Sequence, residues 1–189
     1  MHKIYTIFFL LIFSGSAMAE AEYYDIDPEH TFPHFAIDHL GLSTMYGRFD
    51  QTTGRLMIDH QRKNGFIDIK IAAVSISTGF AKRDKHLRSP DFLNVMEFPD
   101  ITYKSRNITF GDNGTALVEG DLMILGVTKS IPLNVNRTRC GTNPLTQAYT
   151  CGFEATAEIK RSDFGSTYGL PNVGDTMKLW FEVEAIREK

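Results

Sequence analysis

The stretch MKLWFEVE, Met177–Glu184, decides how the rest of the chain is read. Met177, Leu179, Phe181 and Val183 alternate with Lys178, Trp180, Glu182 and Glu184. A period of two puts one set on each face of a strand, so this segment is expected to lie half in a core and half in water. The rhythm recurs in FIDIKIA (Phe66–Ala72), where Ile67, Ile69 and Ile71 alternate with Asp68 and Lys70. It recurs again through Phe35 and Ile37 in TFPHFAIDH (Thr31–His39), and through Phe153, Ala155, Ala157 and Ile159.

Turn chemistry separates these segments. Asn64-Gly65 is expected to join the strand near Leu56 to the isoleucine strand, and Asn113-Gly114 to join DITYKSRNITF to TALVEGDLMIL. Gly126 and the segment Cys140–Cys151 mark two further reversals. Roughly eight antiparallel segments in one domain predict an all-β meander closed into a barrel, since closure removes exposed edges. A β-sandwich is the competing architecture. One region, KRDKHLRSPDFLNVMEFPD (Lys82–Asp100), breaks the rhythm. Ser89 as N-cap, Pro90 at the first helical position and Asp91 near the positive end of the helix dipole predict a short helix starting there.

Lys3, the apolar run IYTIFFLLIF and the small-residue pattern Ala17-Met18-Ala19 read as a cleaved export signal over residues 1–19. The run is too short for a membrane anchor. Residues 20–189 then form one domain in the periplasm or outside the cell. Removing Lys3 with the signal takes the formal charge from −3 to −4, with both signs interspersed, which argues against a nucleic-acid groove. The two cysteines, Cys140 and Cys151, flank a polar loop in a chain bound for an oxidising compartment, and a disulfide is the default reading. A zinc pair would need a C-x-x-C or a neighbouring His to complete a tetrahedral set.

Catalytic motifs are scarce. The tripeptide inside KRSDFG (Lys160–Gly165) occurs in protein kinases, but no Gly-rich loop, strand lysine or H-R-D segment accompanies it. Hydrolase signatures, namely G-x-S-x-G, S-x-x-K and H-E-x-x-H, are also missing from the sequence. His30, His34 and His39 cluster in sequence, yet four residues of extended chain span about 13 Å. His30 and His34 therefore cannot share one ion, and no metal site is expected. His39 falls on the face of Phe35 and Ile37, either as a hydrogen-bonded core histidine or as a group that meets a ligand. Arg83, Asp84, Arg88 and Asp91 suit salt bridges that brace the irregular segment. Asp163 is expected to accept backbone hydrogen bonds at the turn that Gly165 permits.

Several blocks, in order, resemble the YceI-like family of exported, lipocalin-like, polyisoprenoid-binding proteins. They are DPEHTFPHFAIDHLGLS (Asp27–Ser43), GRFDQTTGRLMID (Gly47–Asp59), SISTGFAKRDKHLRSPDFLNVMEFPDITYKS (Ser75–Ser105), GDLMILGVTKSIPLNV (Gly120–Val135) and GFEATAEIKRSDFG (Gly152–Gly165). The chain departs from the family pattern at Leu93, where a second aromatic is usual, and at Ala72, where an Asp is common. The cysteine pair occurs in only some members.

The resemblance implies a lipocalin-like eight-stranded antiparallel β-barrel with a short helical excursion, and a tunnel for an isoprenoid lipid. From the residues alone, such a barrel is either filled by its own side chains or just wide enough for one apolar ligand. Small residues at Ala73, Ala155, Ala157 and Gly120 are expected to leave room among Phe35, Phe49, Phe153, Leu179 and Phe181. The expected tunnel wall comprises Phe35, Ile37, His39 and Phe49, then Ile67, Ile69 and Ile71. It continues with Phe92, Leu93 and Leu122, and with Phe153, Ala155, Phe164, Leu179 and Phe181. The segment Arg83–Phe98 is expected to edge the tunnel mouth.

The implied function is non-enzymatic transport or storage of a polyprenyl lipid or a long-tailed quinone such as ubiquinone, with no catalytic cofactor. A periplasmic hydrolase and an envelope interaction module are the alternatives. Expected partners are the lipid itself and, transiently, the membrane or membrane proteins that use quinones; a homodimer is left open.

Overall fold

A computed structural model describes residues 21–189; the expected signal, residues 1–19, lies outside them. The described chain opens with β1 (Glu22–Ile26), β2 (Phe32–His39), β3 (Ser43–Phe49), β4 (Thr52–Asp59) and β5 (Asn64–Ala72). A 3-10 turn leads to the two-residue β6 (Ile76–Ser77) and then to α1 (Ala81–Leu87). The long strands β7 (Asp100–Phe110), β8 (Ala116–Ile124), β9 (Val127–Thr142), β10 (Tyr149–Lys160) and β11 (Val173–Arg187) complete it.

Eight strands close a ring in the order β1-β4-β5-β7-β8-β9-β10-β11, with β11 returning to β1. The fold is therefore the closed antiparallel barrel that the alternation predicts, not a sandwich. The remaining strands extend from β11 in the order β2-β3-β6. All pairings are antiparallel, and the registers put Leu179 opposite both Ala157 and Phe35. One packed cluster surrounds Tyr24, Leu56 and Ala185; a second surrounds Ile71, Tyr103, Val118 and Phe164.

The Asn113-Gly114 and Gly126 reversals stand where the turn residues put them, with left-handed backbone at Asn113 (φ 57°), Gly114 (φ 79°) and Gly126 (φ 72°). Cys140 and Cys151 pair across β9 and β10 as a disulfide. Asn64-Gly65 behaves differently: both residues already belong to β5, opposite Asp59 and Ile58, and Lys63 (φ 48°) takes the strained turn position. Asp59 stabilises that turn by accepting the N–H groups of Gln61 and Arg62.

The helix is also displaced. It occupies Ala81–Leu87, before Ser89-Pro90-Asp91, and has no side-chain N-cap. Ser89 organises turns instead: its carbonyl accepts the N–H groups of Phe92 and Asn94, and Asn94 (φ 42°) leaves helical space. What anchors the helix is tertiary. Buried Asp84 accepts hydrogen bonds from the N–H and hydroxyl of Thr78. Arg83 donates to the Thr78 hydroxyl and carbonyl, and Arg88 to the carbonyls of Val74 and Ile76. The expected salt bridges are thus replaced by bonds to backbone and to the Thr78 hydroxyl, except that Asp91 pairs with His86 at 2.8 Å.

The RSDF residues form a 3-10 turn, Arg161–Phe164, ended by Gly165 at φ 88°. Arg161, only 5% exposed, donates to the carbonyls of Ser166, Val173 and Gly174 at 2.8–2.9 Å. Burial lowers its pKa, and hydrogen bonding to three carbonyls holds the guanidinium in place. Asp175, not the exposed Asp163, is the carboxylate that caps the turn; it accepts the N–H and hydroxyl of Ser162. Those bonds hold its pKa below the ordinary carboxylate value. A depressed native pKa stabilises the fold above the unfolded-state pKa and loses that contribution as pH falls through the native one. The melting-temperature deficit of Asp175→Ala is therefore expected to be full above about pH 5 and to shrink steadily under acid titration. A deficit independent of pH would assign it to packing.

Candidate functional site

Two apolar cavities lie inside the barrel. One, about 430 Å³, reaches toward the β4–β5 and β7–β8 turns. The other, about 670 Å³, lies beneath α1 and the RSDF turn. They share Pro33, Ile71, Leu122, Leu179 and Phe181 as wall, and so meet near mid-barrel.

Every residue expected at the tunnel wall borders one cavity or both. Ile67, Ile69, Phe153 and Ala155 line the turn-end cavity. Phe35, Ile37, His39, Phe49, Phe92, Leu93 and Phe164 line the helix-end cavity. Ile71, Leu122, Leu179 and Phe181 belong to both. For those on the ring strands β5, β8, β10 and β11, alternation accounts for the position, because one face of each ring strand must point inward.

The small residues behave otherwise. Of the four, only Ala155 is on a cavity wall. A Cβ on Gly120 would sit 2.5 Å from the Tyr103 ring, so the space is filled by that ring. Its hydroxyl donates to the Ile131 carbonyl at 3.0 Å, with the Val118 carbonyl 3.2 Å away, and burial raises the phenol pKa. Ala73 is buried in the 3-10 turn after β5, and Ala157 is half-buried off the cavity.

Other contributors carry a weaker sequence signal. Ile131, Leu133 and Val135 of β9 line the turn-end cavity, and their alternation is visible once β9 is recognised as a strand. Met45, Phe80 and Tyr168 reach the helix-end cavity from β3 and from irregular segments, where no periodicity marks them. Phe80 and Tyr168 are exposed, as is Leu40 in the β2–β3 turn; Leu42 in that turn is 83% exposed. The Leu40 N–H donates to the Asn172 carbonyl, which ties the turn to the loop carrying Tyr168.

At the helix-end mouth His86, Phe92 and Tyr168 pack edge to face, with ring centres 5.1–5.3 Å apart. Lys82 and Arg83 stand on the same rim. The segment Arg83–Phe98 therefore edges this mouth, through Arg83, His86, Leu87, Phe92 and Leu93. His39 lines the cavity without a side-chain hydrogen bond among the described residues, which disfavours the hydrogen-bonded core reading.

His34 and His30 have side-chain partners of their own. His34 stacks on Trp180 at 5.2 Å and pairs with Glu182. His30 pairs with Asp27 at 2.8 Å, which raises the imidazole pKa, and Glu184 lies in the same group within 4.8 Å. That grouping joins His30 to a carboxylate across the sheet, not to His34 or His39.

Comparison with known proteins gives a consistent picture. Residues 24–185 match the YceI-like domain. The Yersinia enterocolitica UPF0312 protein is 36% identical over 185 residues, covering 97% of this chain and 95% of the relative. Among solved structures, Burkholderia cenocepacia BcnA superposes with a TM-score of 0.71 at 20% identity, covering 84% of this chain and 98% of its own. The Campylobacter jejuni YceI protein superposes with a TM-score of 0.66 at 28% identity, covering 81% and 91%. A polyisoprenoid binding domain from Saccharophagus degradans gives 0.67 at 18% identity, covering 87% and 98%. With a match of that extent across the barrel, the chain belongs to the YceI-like family.

Proposed function

We propose that this protein is a non-enzymatic carrier that holds an isoprenoid lipid, either a polyprenyl lipid or a long-tailed quinone, inside its barrel after export to the periplasm or beyond. The observation that carries the reading is the pair of adjoining apolar cavities through a closed barrel. Each buried CH₂ of a ligand contributes on the order of 0.8 kcal/mol, so several isoprene units outweigh the cost of ordering a flexible tail. The Saccharophagus degradans neighbour is itself a polyisoprenoid binding domain, which supports the same ligand class here. Exposed Leu40, Leu42, Phe80 and Tyr168 near the helix-end mouth suit brief contact with a membrane while the lipid transfers.

Native mass spectrometry of protein purified from the periplasm, followed by solvent extraction, should reveal an isoprenoid in stoichiometric amount. Protein that carries none, and that takes none up from isoprenoid-loaded vesicles, would refute the carrier.

Two substitutions probe where the lipid lies. Ala155 is buried opposite Phe181 and Val135, so Ala155→Trp projects an indole into the turn-end cavity. It should expel lipid while lowering stability by about 1–3 kcal/mol; undiminished lipid in a folded variant would place the ligand elsewhere.

Phe92 tests the mouth. Residues 83–98 have no sheet ladder and should exchange amide hydrogens faster than the strands, with bound lipid slowing them. Phe92→Ala is expected to speed lipid release more than it lowers the melting temperature. Exchange as slow as the strands, with and without lipid, would make the segment a fixed brace.

A further inference from the structure

Where β11 meets the loop between β1 and β2, three metal-ligating side chains come together. Asp27 and His30 lie in that loop, and Glu184 lies near the end of β11. Each offers one ligand atom, a carboxylate oxygen or a ring nitrogen, and the three atoms lie within 4.8 Å of one another. Backbone bonds fix the elements that carry them. The Asp27 N–H donates to the Glu184 carbonyl at 2.9 Å, and Thr31 Oγ1 bonds both the N–H and the carbonyl of Glu184. Asp27 Oδ1 accepts the Glu29 N–H at 2.9 Å, which orients its carboxylate.

The charges of this group do not balance. Asp27 and Glu184 are both half-buried, and one imidazole serves the two carboxylates. His30 Nδ1 is bonded to Asp27 Oδ2 at 2.8 Å, so the Glu184 carboxylate is left without a hydrogen bond or ion pair of its own among the described residues. The nearby arginines do not neutralise it: Arg137 pairs with Glu154 at 2.6 Å, and Arg139, opposite Gly152, is in no ion pair among the described residues. Gly152 is also the ladder partner of Glu184, and the place its side chain would occupy is open apart from the Arg139 carbonyl at 3.9 Å. A groove of about 360 Å³ runs past His30, Gly152 and Glu184, which gives an ion and its waters access from solvent.

We propose that Asp27, His30 and Glu184 bind a divalent transition-metal cation, with Zn²⁺ as the type case, and that the ion clamps the β1–β2 loop to β11. An imidazole with two carboxylates favours such an ion over Mg²⁺ or Ca²⁺, which take oxygen ligands. Bonds of about 2.1 Å in tetrahedral geometry put ligand atoms about 3.4 Å apart. Asp27 and His30 need only part slightly to reach that spacing, while the flexible Glu184 side chain swings in and a water in the groove completes the shell. The ligands come from opposite ends of the chain, so no spacing in the sequence reveals them. The site is on the outer wall, and the inference is independent of the carrier reading.

The test titrates untagged, metal-stripped exported protein with ZnCl₂ and with MgCl₂ by calorimetry. Wild type should bind one Zn²⁺ per chain, and Mg²⁺ about ten-fold more weakly or less. His30→Ala and Glu184→Gln should each weaken Zn²⁺ binding by about ten-fold or more, since even an outer-shell partner is worth that much. His60→Ala, which removes a different imidazole 3.8 Å from a carboxylate of Glu22, should leave it unchanged. Zn²⁺ should raise the melting temperature of wild type but not of Glu184→Gln at the same concentration. X-ray absorption at the zinc edge of loaded wild type should show a nitrogen and oxygen shell with one imidazole and no sulfur, a readout that needs no variant to fold.

Wild type without saturable Zn²⁺ binding, equal affinity for Zn²⁺ and Mg²⁺, undiminished affinity in either ligand variant, or a shell with no imidazole would each overturn the site.

Discussion

Strand β11 is where the ring is sealed, and the backbone hydrogen bonds along its two edges decide what the interior can be. One edge pairs with β10 from Thr176 to Ile186. The other is shared: Met177–Glu182 pair with β2, and Ala185–Arg187 with β1. Between these lies a gap at Val183 and Glu184, where a buried N–H or carbonyl without a partner would be costly. Thr31 fills it. Its hydroxyl accepts the Glu184 N–H at 3.1 Å and donates to the Glu184 carbonyl at 3.2 Å, while the Asp27 N–H reaches the same carbonyl at 2.9 Å. A side chain thus substitutes for the missing strand, and the seam closes without collapsing inward.

With closure fixed, the width of the lumen depends on which aromatic rings find space in the sheet itself. Gly47 and Gly120 supply it. A Cβ on Gly47 would lie 2.3 Å from the Phe35 ring, and one on Gly120 would lie 2.5 Å from the Tyr103 ring. Each ring therefore folds down against a neighbouring strand, Phe35 across from Gly47 itself and Tyr103 near the β7 bulge between Ser105 and Asn107. Rings that lie flat on the wall leave the axis open.

This explains which parts of the molecule were legible in sequence. A two-residue period is a local property, so MKLWFEVE and FIDIKIA could place Leu179, Phe181, Ile67, Ile69 and Ile71 on one inward face without knowledge of their neighbours. The occupant of the space beside a glycine is set by cross-strand register, and so Gly120 suggested a void that Tyr103 in fact fills. The same limit misplaced the helix. Ser89-Pro90-Asp91 has the right local chemistry, but the helix forms earlier, where Asp84 and Arg83 find partners at Thr78 and Arg88 reaches the carbonyls of Val74 and Ile76. Asp163 and Asp175 compete for one turn, and only the fold brings Asp175 to Ser162.

The mouth beneath α1 combines two kinds of contact that differ in stiffness. The polar anchors of residues 83–88 converge on Val74–Thr78: Arg83 and Asp84 bind Thr78, and Arg88 binds the carbonyls of Val74 and Ile76. Toward the RSDF loop, His86 and Phe92 meet Tyr168 through ring contacts alone. Charged donors on carbonyls are directional and costly to break, whereas edge-to-face rings tolerate sliding. Displacement of the segment would therefore pivot about residues 74–78 and part the rings first, opening the cavity between Phe92 and Tyr168. The barrel wall, held by continuous ladders, would stay as it is.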